Sequence, residues 1–179
     1  MKLQYLGTAA AEGGPALFCE CDNCKRAKMA GGRNIRTRSQ ALIDDTLVID
    51  FPPDTYMHIL NNGLDAGHWT GALITHAHSD HFYASDFAMH RPPFSHDAAP
   101  MEIYLNRMAA YMAKDLMMES QIRQNGLSFH VVDNFVPFRH DRYEITPLRA
   151  DHDAMQDAHF YIISDGSKSL LYAHDTGFF

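Results

Sequence analysis

Gly71-Ala72-Leu73-Ile74-Thr75-His76-Ala77-His78-Ser79-Asp80-His81 is the stretch on which the reading of this chain turns. The apolar run 71–74 reads as a buried strand, and it delivers four side chains of metal-ligand type within six residues, His76, His78, Asp80 and His81. His76 and His78 are two apart, so an extended backbone points both imidazoles to one side. Asp80 and His81 follow at the turn into the next helix, where a second ion would sit beside the first. A merely histidine-rich polar loop is the plainer alternative. The position at the carboxyl end of a buried strand favours metal, as do the 12 His of a 179-residue chain.

Two later strand ends extend the constellation. Ala150-Asp151-His152-Asp153 follows a strand expected over 143–148, so His152 enters from a different strand end. The apolar run 169–173 leads into His174-Asp175-Thr176-Gly177, where the two carboxylate oxygens of Asp175 are suited to bridging two ions. Strand alternation places His174 on the opposite face, outside the ligand set. His58, His68, His90, His96, His130 and His140 lack ligand-like spacing and read as surface or packed residues, and His159, within a strand, reads as structural.

Cysteine and charge concentrate near the amino end. All three Cys lie in one six-residue window, Cys19-x-Cys21-x2-Cys24. That is a poor disulfide framework and a good partial zinc clip, because one tight loop can aim three thiolates at a tetrahedral ion. Free thiols are the other reading. Net charge is −7, yet six of the 15 basic residues (Lys25, Arg26, Lys28, Arg33, Arg36, Arg38) fall within 25–38, where there is no acid. The remainder carries 9 basic and 22 acidic residues, a balance that argues against general nucleic-acid binding. The basic run is either a solvated loop or an attractor for an anionic substrate, with Arg36 and Arg38 as candidate phosphate contacts.

At 46% hydrophobic and 21% charged residues the chain has material for a single-domain core. No apolar run reaches the ~20 residues of a membrane span, and no apolar leader follows Met1, so a cytoplasmic protein is expected. The order of elements runs from β to mixed α/β to nearly pure β. Strands are expected at 2–6, 41–43, 46–50, 71–74, 101–105, 127–132, 135–138, 143–148, 158–164 and 169–173. Helices are expected from Asp54 to about Asn61, over 82–90, and from an Asn106 cap to about Gln124. The last should bury Met108, Tyr111, Met112, Leu116 and Ile122. Residues 8–38, with Gly13-Gly14-Pro15 and Gly31-Gly32, read as a long irregular Cys-rich and basic insertion.

His76-x-His78-x-Asp80-His81, then His152, then Asp175 in a strand-end Asp-Thr-Gly, resembles the metallo-β-lactamase superfamily. Leu6-Gly7-Thr8 after the first strand, the Cys loop and Arg38-Ser39 before a strand narrow the resemblance. They point to the phosphoribosyl cyclic phosphate phosphodiesterase branch and, more distantly, to ribonuclease Z. The resemblance implies an α/β fold, a metallo-β-lactamase-like αββα sandwich, over residues 1–179. It implies two divalent ions (zinc or manganese, iron as a variant). His76, His78 and His152 would hold the first, Asp80 and His81 the second, with Asp175 bridging and Asp80 also catalytic. Cys19, Cys21 and Cys24 would hold a structural zinc.

Members of the family continue beyond the bridging Asp, whereas this sequence stops at Phe179. A C-terminally incomplete sandwich is therefore expected, with one face of its second sheet uncovered or covered by a second copy in a homodimer. The implied activity is hydrolysis of a small cyclic or nucleotide-like phosphate ester. A lactone or thioester substrate, iron redox chemistry and a non-catalytic zinc or RNA-binding module are the alternatives.

Overall fold

A computed structural model describes residues 1–116, 122 and 124–177. Two sheets stack face to face. The first has six strands in chain order: β1 (Leu3–Gly7), β2 (Gln40–Ile43), β3 (Leu47–Ile49), β4 (Gly71–Leu73), β5 (Met101–Leu105) and β6 (Leu127–Val131). β1–β2–β3 pair antiparallel, and β3–β4–β5–β6 pair parallel. The second sheet is an antiparallel meander of β7 (Phe138–His140), β8 (Tyr143–Arg149), β9 (His159–Ser164) and β10 (Ser169–Tyr172).

The apolar runs of β2–β5 have no polar alternation because both faces of the first sheet are covered. One set of side chains, including Ile43, Leu47, Ile49, Leu73 and Tyr104, meets Tyr143, Ile145, Tyr161, Ile163 and Tyr172 of the second sheet. The other set, including Leu42, Val48, Ala72, Ile103 and Leu105, packs under the helical layer. That layer consists of α2 (Thr55–Asn62), a 3-10 turn at Ala84–Met89 and α3 (Arg107–Leu116). On the outer face of the second sheet Ile162 and Leu171 are exposed, and no helix among the described residues covers them. The fold is thus the αββ part of the expected αββα sandwich. No described helix is long and apolar enough to cross a membrane.

Several expectations need correction. Residues 8–38 are not wholly irregular, because they contain α1 (Asp22–Ala30). Lys25-Arg26-Ala27-Lys28-Met29-Ala30 is a run of good helix formers ended by Gly31 at φ 60°, but with no buried residue it shows no apolar periodicity. The strand expected at 135–138 is displaced to Phe138–His140, since Phe135 sits at φ 65° and Pro137 has no N–H to give a ladder. The helix over 82–90 is a 3-10 turn. In α3 the buried face is Ala109, Ala110 and Ala113, with Met108 half-buried and Tyr111 and Met112 exposed. Small side chains let this helix lie close on the sheet. The Leu116 side chain and residues 117–121 and 123 of the expected helix lie outside the described residues.

Candidate metal centre

The parallel strands β3, β4 and β5 end at one edge of the first sheet, the usual place for a ligand in an open α/β sheet. Asp50 follows β3, the His76–His81 segment follows β4, and Asn106 follows β5. Across the sandwich β8 and β10 run parallel to each other on either side of β9, and their ends carry His152 and Asp175 to the same edge.

Backbone bonds fix the histidine segment. The Tyr161 hydroxyl donates to Ile74 O at 2.7 Å and His159 N to Thr75 O at 2.8 Å. A turn closes from the amides of His81 and Phe82 onto His78 O at 2.9 and 2.8 Å. The loop bearing His152 is tied to the segment bearing Asp175 through Asp151 N to Thr176 Oγ1 (3.0 Å) and Gly177 N to Asp151 O (2.6 Å). Asn106, fully buried, caps α3 by accepting from Ala109 N at 2.8 Å and donates through Nδ2 to Gln156 O (2.7 Å) and Asp157 O (3.0 Å).

Three imidazoles converge. His76 Nε2 lies 3.0 Å from His78 Nδ1, and His152 Nε2 lies 3.3 Å from the same atom. Nitrogens bound tetrahedrally to zinc at 2.0–2.1 Å are about 3.3 Å apart, so these spacings are those of co-ligands. A second cluster shares His76. Asp175 Oδ2 is 3.0 Å from His81 Nε2 and 3.9 Å from His76 Nε2, and Asp80 Oδ2 is 3.4 Å from His81 Nε2. His81 is completely buried and its Nε2 faces the carboxylate oxygens of Asp175 and Asp80, so a cation between them would find nitrogen and oxygen donors together. Both clusters therefore fit divalent ions, and each meets the spacing expected of a three-residue ligand group.

The electrostatics separate the histidines. Burial pushes His76 down to about 4, with the nearby His81 adding to the effect. Burial pulls His81 down as well, but it is outweighed by the charge of Asp50 and by the hydrogen bonds that His81 donates to Asp175, Asp50 and Asp80, which carry His81 up to about 12. Hydrogen bonding to His174 and His81 holds the Asp175 carboxyl far below the carboxylate range, against the opposing effect of burial. Without metal, a proton on His81 thus supplies the positive charge this carboxylate cluster calls for.

The structure brings His76, His78, His81, His152 and Asp175 together, with Asp80 beside His81. It also adds residues that the sequence reading missed. Asp50, completely buried at φ 62°, accepts from Thr75 N (2.8 Å), Thr75 Oγ1 (2.9 Å) and His81 Nδ1 (2.7 Å). The only hint was an acid directly ending an apolar strand. Asp153 Oδ2 lies 3.5 Å from His78 Nε2. His174 does not point away. Asp175 turns the chain at φ 50°, which ends strand alternation, so His174 Nδ1 lies 2.9 Å from Asp175 Oδ1 and its ring 5.4 Å from that of His81.

Away from this edge, the sulfurs of Cys19, Cys21 and Cys24 lie within 4.8 Å of one another. Hydrogen bonds, first from the Cys24 backbone, lower the Cys21 thiol to about 7. Arg38 is not free for substrate, since its guanidinium pairs with Asp54 at 3.2 Å and reaches Ala11 O at 3.1 Å. Arg36 is exposed.

An αββ sandwich with paired histidine and aspartate clusters at the strand ends defines a metallo-β-lactamase-type protein. The family model of the beta-lactamase superfamily domain matches residues 48–179, and the chain belongs to that superfamily, on its metallo-β-lactamase side. None of the curated proteins matches it. Among solved structures it is similar to Zn(2+)-bound PqqB from Methylobacterium extorquens, at TM-score 0.75 and 19% identity over 94% of this chain and 63% of that one. A diphosphatase from the PhnP family gives TM-score 0.69 and 19% identity, over 90% and 61%. The short form of human tRNase Z gives 0.65 and 17%, over 96% and 68%. The chain thus spans less than two thirds of the first two.

Proposed function

We propose that this chain is the metal-binding part of a metal-dependent hydrolase acting on phosphodiesters, with two divalent ions, zinc or manganese, at the strand-end site. The observation that carries this reading is the pair of ligand clusters joined at His76. His76, His78 and His152 would hold one ion, His81 and Asp80 the other, and Asp175, whose Oδ2 faces both His81 and His76, would span them. Such ions acidify water and neutralise charge developing on phosphoryl oxygens. Asp80 would ligate the second ion beside His81 and orient the attacking water. Asp50 holds His81 by Nδ1 and so leaves Nε2 turned to the site. The exposed, acid-free Arg33–Arg36 stretch suits an anionic substrate, and likeness to a PhnP-family diphosphatase supports phosphorus over acyl chemistry.

The test is metal-loaded protein assayed on bis-(p-nitrophenyl) phosphate and on a panel of lactones and thioesters. Hydrolysis of the diester, falling at least ~100-fold in His76→Ala, is the expected result. Turnover of the acyl compounds alone would replace the phosphodiester reading.

A further inference from the structure

Each imidazole of the strand-end cluster has two ring nitrogens, and its contacts tell them apart. His76 turns Nε2 to the cluster and Nδ1 to Thr75 Oγ1 at 3.0 Å. His81 turns Nε2 to Asp175 and Nδ1 to Asp50 at 2.7 Å. His78 is reversed. Its Nδ1 faces the Nε2 atoms of His76 and His152, at 3.0 and 3.3 Å. Nδ1 is therefore the atom available to an ion, and the proton of the neutral ring belongs on Nε2. That nitrogen faces Asp153 Oδ2 at 3.5 Å, and among the described residues no other carboxylate lies within ion-pair distance of His78.

The Asp153 carboxylate is itself held. Its Oδ1 accepts from the Met155 amide at 2.9 Å and its carbonyl from the Gln156 amide at 3.0 Å, a side-chain turn that leaves Oδ2 directed at His78. His152 is the preceding residue, so one short segment supplies both a ligand and the acceptor that orients another ligand. Bonds to Thr176 and Gly177 on one side and to Asn106 on the other keep that segment in place.

We propose that Asp153 is a positioning residue of the metal centre: it accepts the Nε2 proton of His78 and so keeps Nδ1 turned to the ion shared with His76 and His152. The inference rests on reading the strand-end cluster as a metal centre and is independent of the substrate. A cation on Nδ1 makes the N–H across the ring a stronger donor, and metal-bound imidazoles hold that N–H against a carboxylate, carbonyl or water. The two ions then sit in unlike surroundings. Asp50 behind His81 is completely buried, whereas the His78 and Asp153 side chains are 37% and 43% exposed. Solvent and salt screen the exposed contact. Its removal therefore costs about tenfold in metal affinity, the low end of the usual range for such partners.

The test compares Asp153→Asn and Asp153→Ser with the wild-type chain, because both keep an acceptor for the Met155 amide and remove the carboxylate facing His78. Zinc affinity is measured by chelator competition at rising salt, and the ring nitrogens are followed by NMR of zinc-loaded protein carrying isotope-labelled histidine. Wild-type His78 should be zinc-bound at Nδ1 with its proton on Nε2. Both variants should lose about tenfold in affinity for the ion on His76, His78 and His152, by a margin that shrinks with salt, and keep the ion on His81. Their His78 Nε2 proton should also exchange faster with water. Wild-type affinity in either variant, or zinc on Nε2 of His78, would overturn the inference and leave the metal centre standing. Equal weakening of both ions, with fast amide exchange across 151–156, would reduce Asp153 to a turn residue and overturn it as well. Zinc that moves none of the His76, His78 and His152 ring signals would remove the metal-centre reading itself, and the inference with it.

Discussion

Asp50 Oδ2 lies 2.7 Å from His81 Nδ1, and both side chains are completely buried beneath the candidate metal centre. The other carboxylate oxygen takes the Thr75 amide and hydroxyl, so Asp50 faces donors only. Asn at this position would turn an amide N–H towards one of them. Removing an outer partner of a metal-binding imidazole typically costs 10–100-fold in affinity. Asp50→Asn should therefore weaken the ion held by His81 by that factor and affect the one on His76, His78 and His152 less. Calorimetric zinc titration with elemental analysis checks this, and two ions bound as tightly as in the wild type would contradict it.

His159 is fully buried at the start of β9, and among the described residues neither ring nitrogen has a hydrogen-bond partner. Burial lowers its pKa from the ordinary 6.5, against the attraction of Asp157 and Asp133. The folded chain therefore holds this ring neutral while the unfolded chain takes up a proton below about pH 6.5, so stability falls as pH drops through that region. His159→Phe, similar in size and needing no partner, should equal or exceed wild-type Tm at pH 7 and lose less between pH 7 and 5.5. A steeper acid loss in the variant would refute the argument.

What could be read from the sequence follows from which physical signal each feature leaves. The histidine segment was legible because ligand chemistry sits on a strand end whose apolar run is unmistakable, and β5 because its period and its Asn106 stop are both clean. Asp50 was hidden because a buried acid ending a strand looks like any turn residue until its donors are seen. His174 was misplaced because alternation holds only while φ stays negative, and Asp175 breaks it. α1 leaves no apolar stripe because it is exposed, and the buried Ala109, Ala110 and Ala113 face of α3 is hidden in sequence by the bulkier but exposed Tyr111 and Met112. Arg38 looked like Arg36 in sequence, and only its fold partner Asp54 separates them.

The cysteine cluster makes its own prediction. With three sulfurs inside one 4.8 Å group, two on the loop into α1 and Cys24 in its first turn, the chain should bind one zinc beyond those of the strand-end site. Cys21→Ser should lose that equivalent while keeping the others. Cobalt substitution provides the marker, since a thiolate-to-cobalt charge-transfer band should vanish in the variant. Persistence of the band would place the cobalt–sulfur contact elsewhere.

Asn106 serves two elements at once, and a pair of substitutions can separate its roles. Its Oδ1 caps α3 at Ala109 N, while its Nδ2 holds Gln156 O and Asp157 O of the loop that carries His152. Asn106→Asp keeps an acceptor for the cap but loses the donor and sets a carboxylate against two carbonyls. Asn106→Ala loses both. Loss of a cap costs ~1 kcal/mol, and the carbonyls of Gln156 and Asp157 lose their amide donor in a part-buried setting, which costs less than full burial would. Both variants should therefore be less stable to urea. The aspartate form should also release the His152 loop, seen as faster amide exchange at Asp157 and Ala158 and at least tenfold weaker zinc binding. If Asn106→Asp binds zinc like the wild type while Asn106→Ala does not, the cap on α3 is what holds the site, and the contact to the loop is incidental.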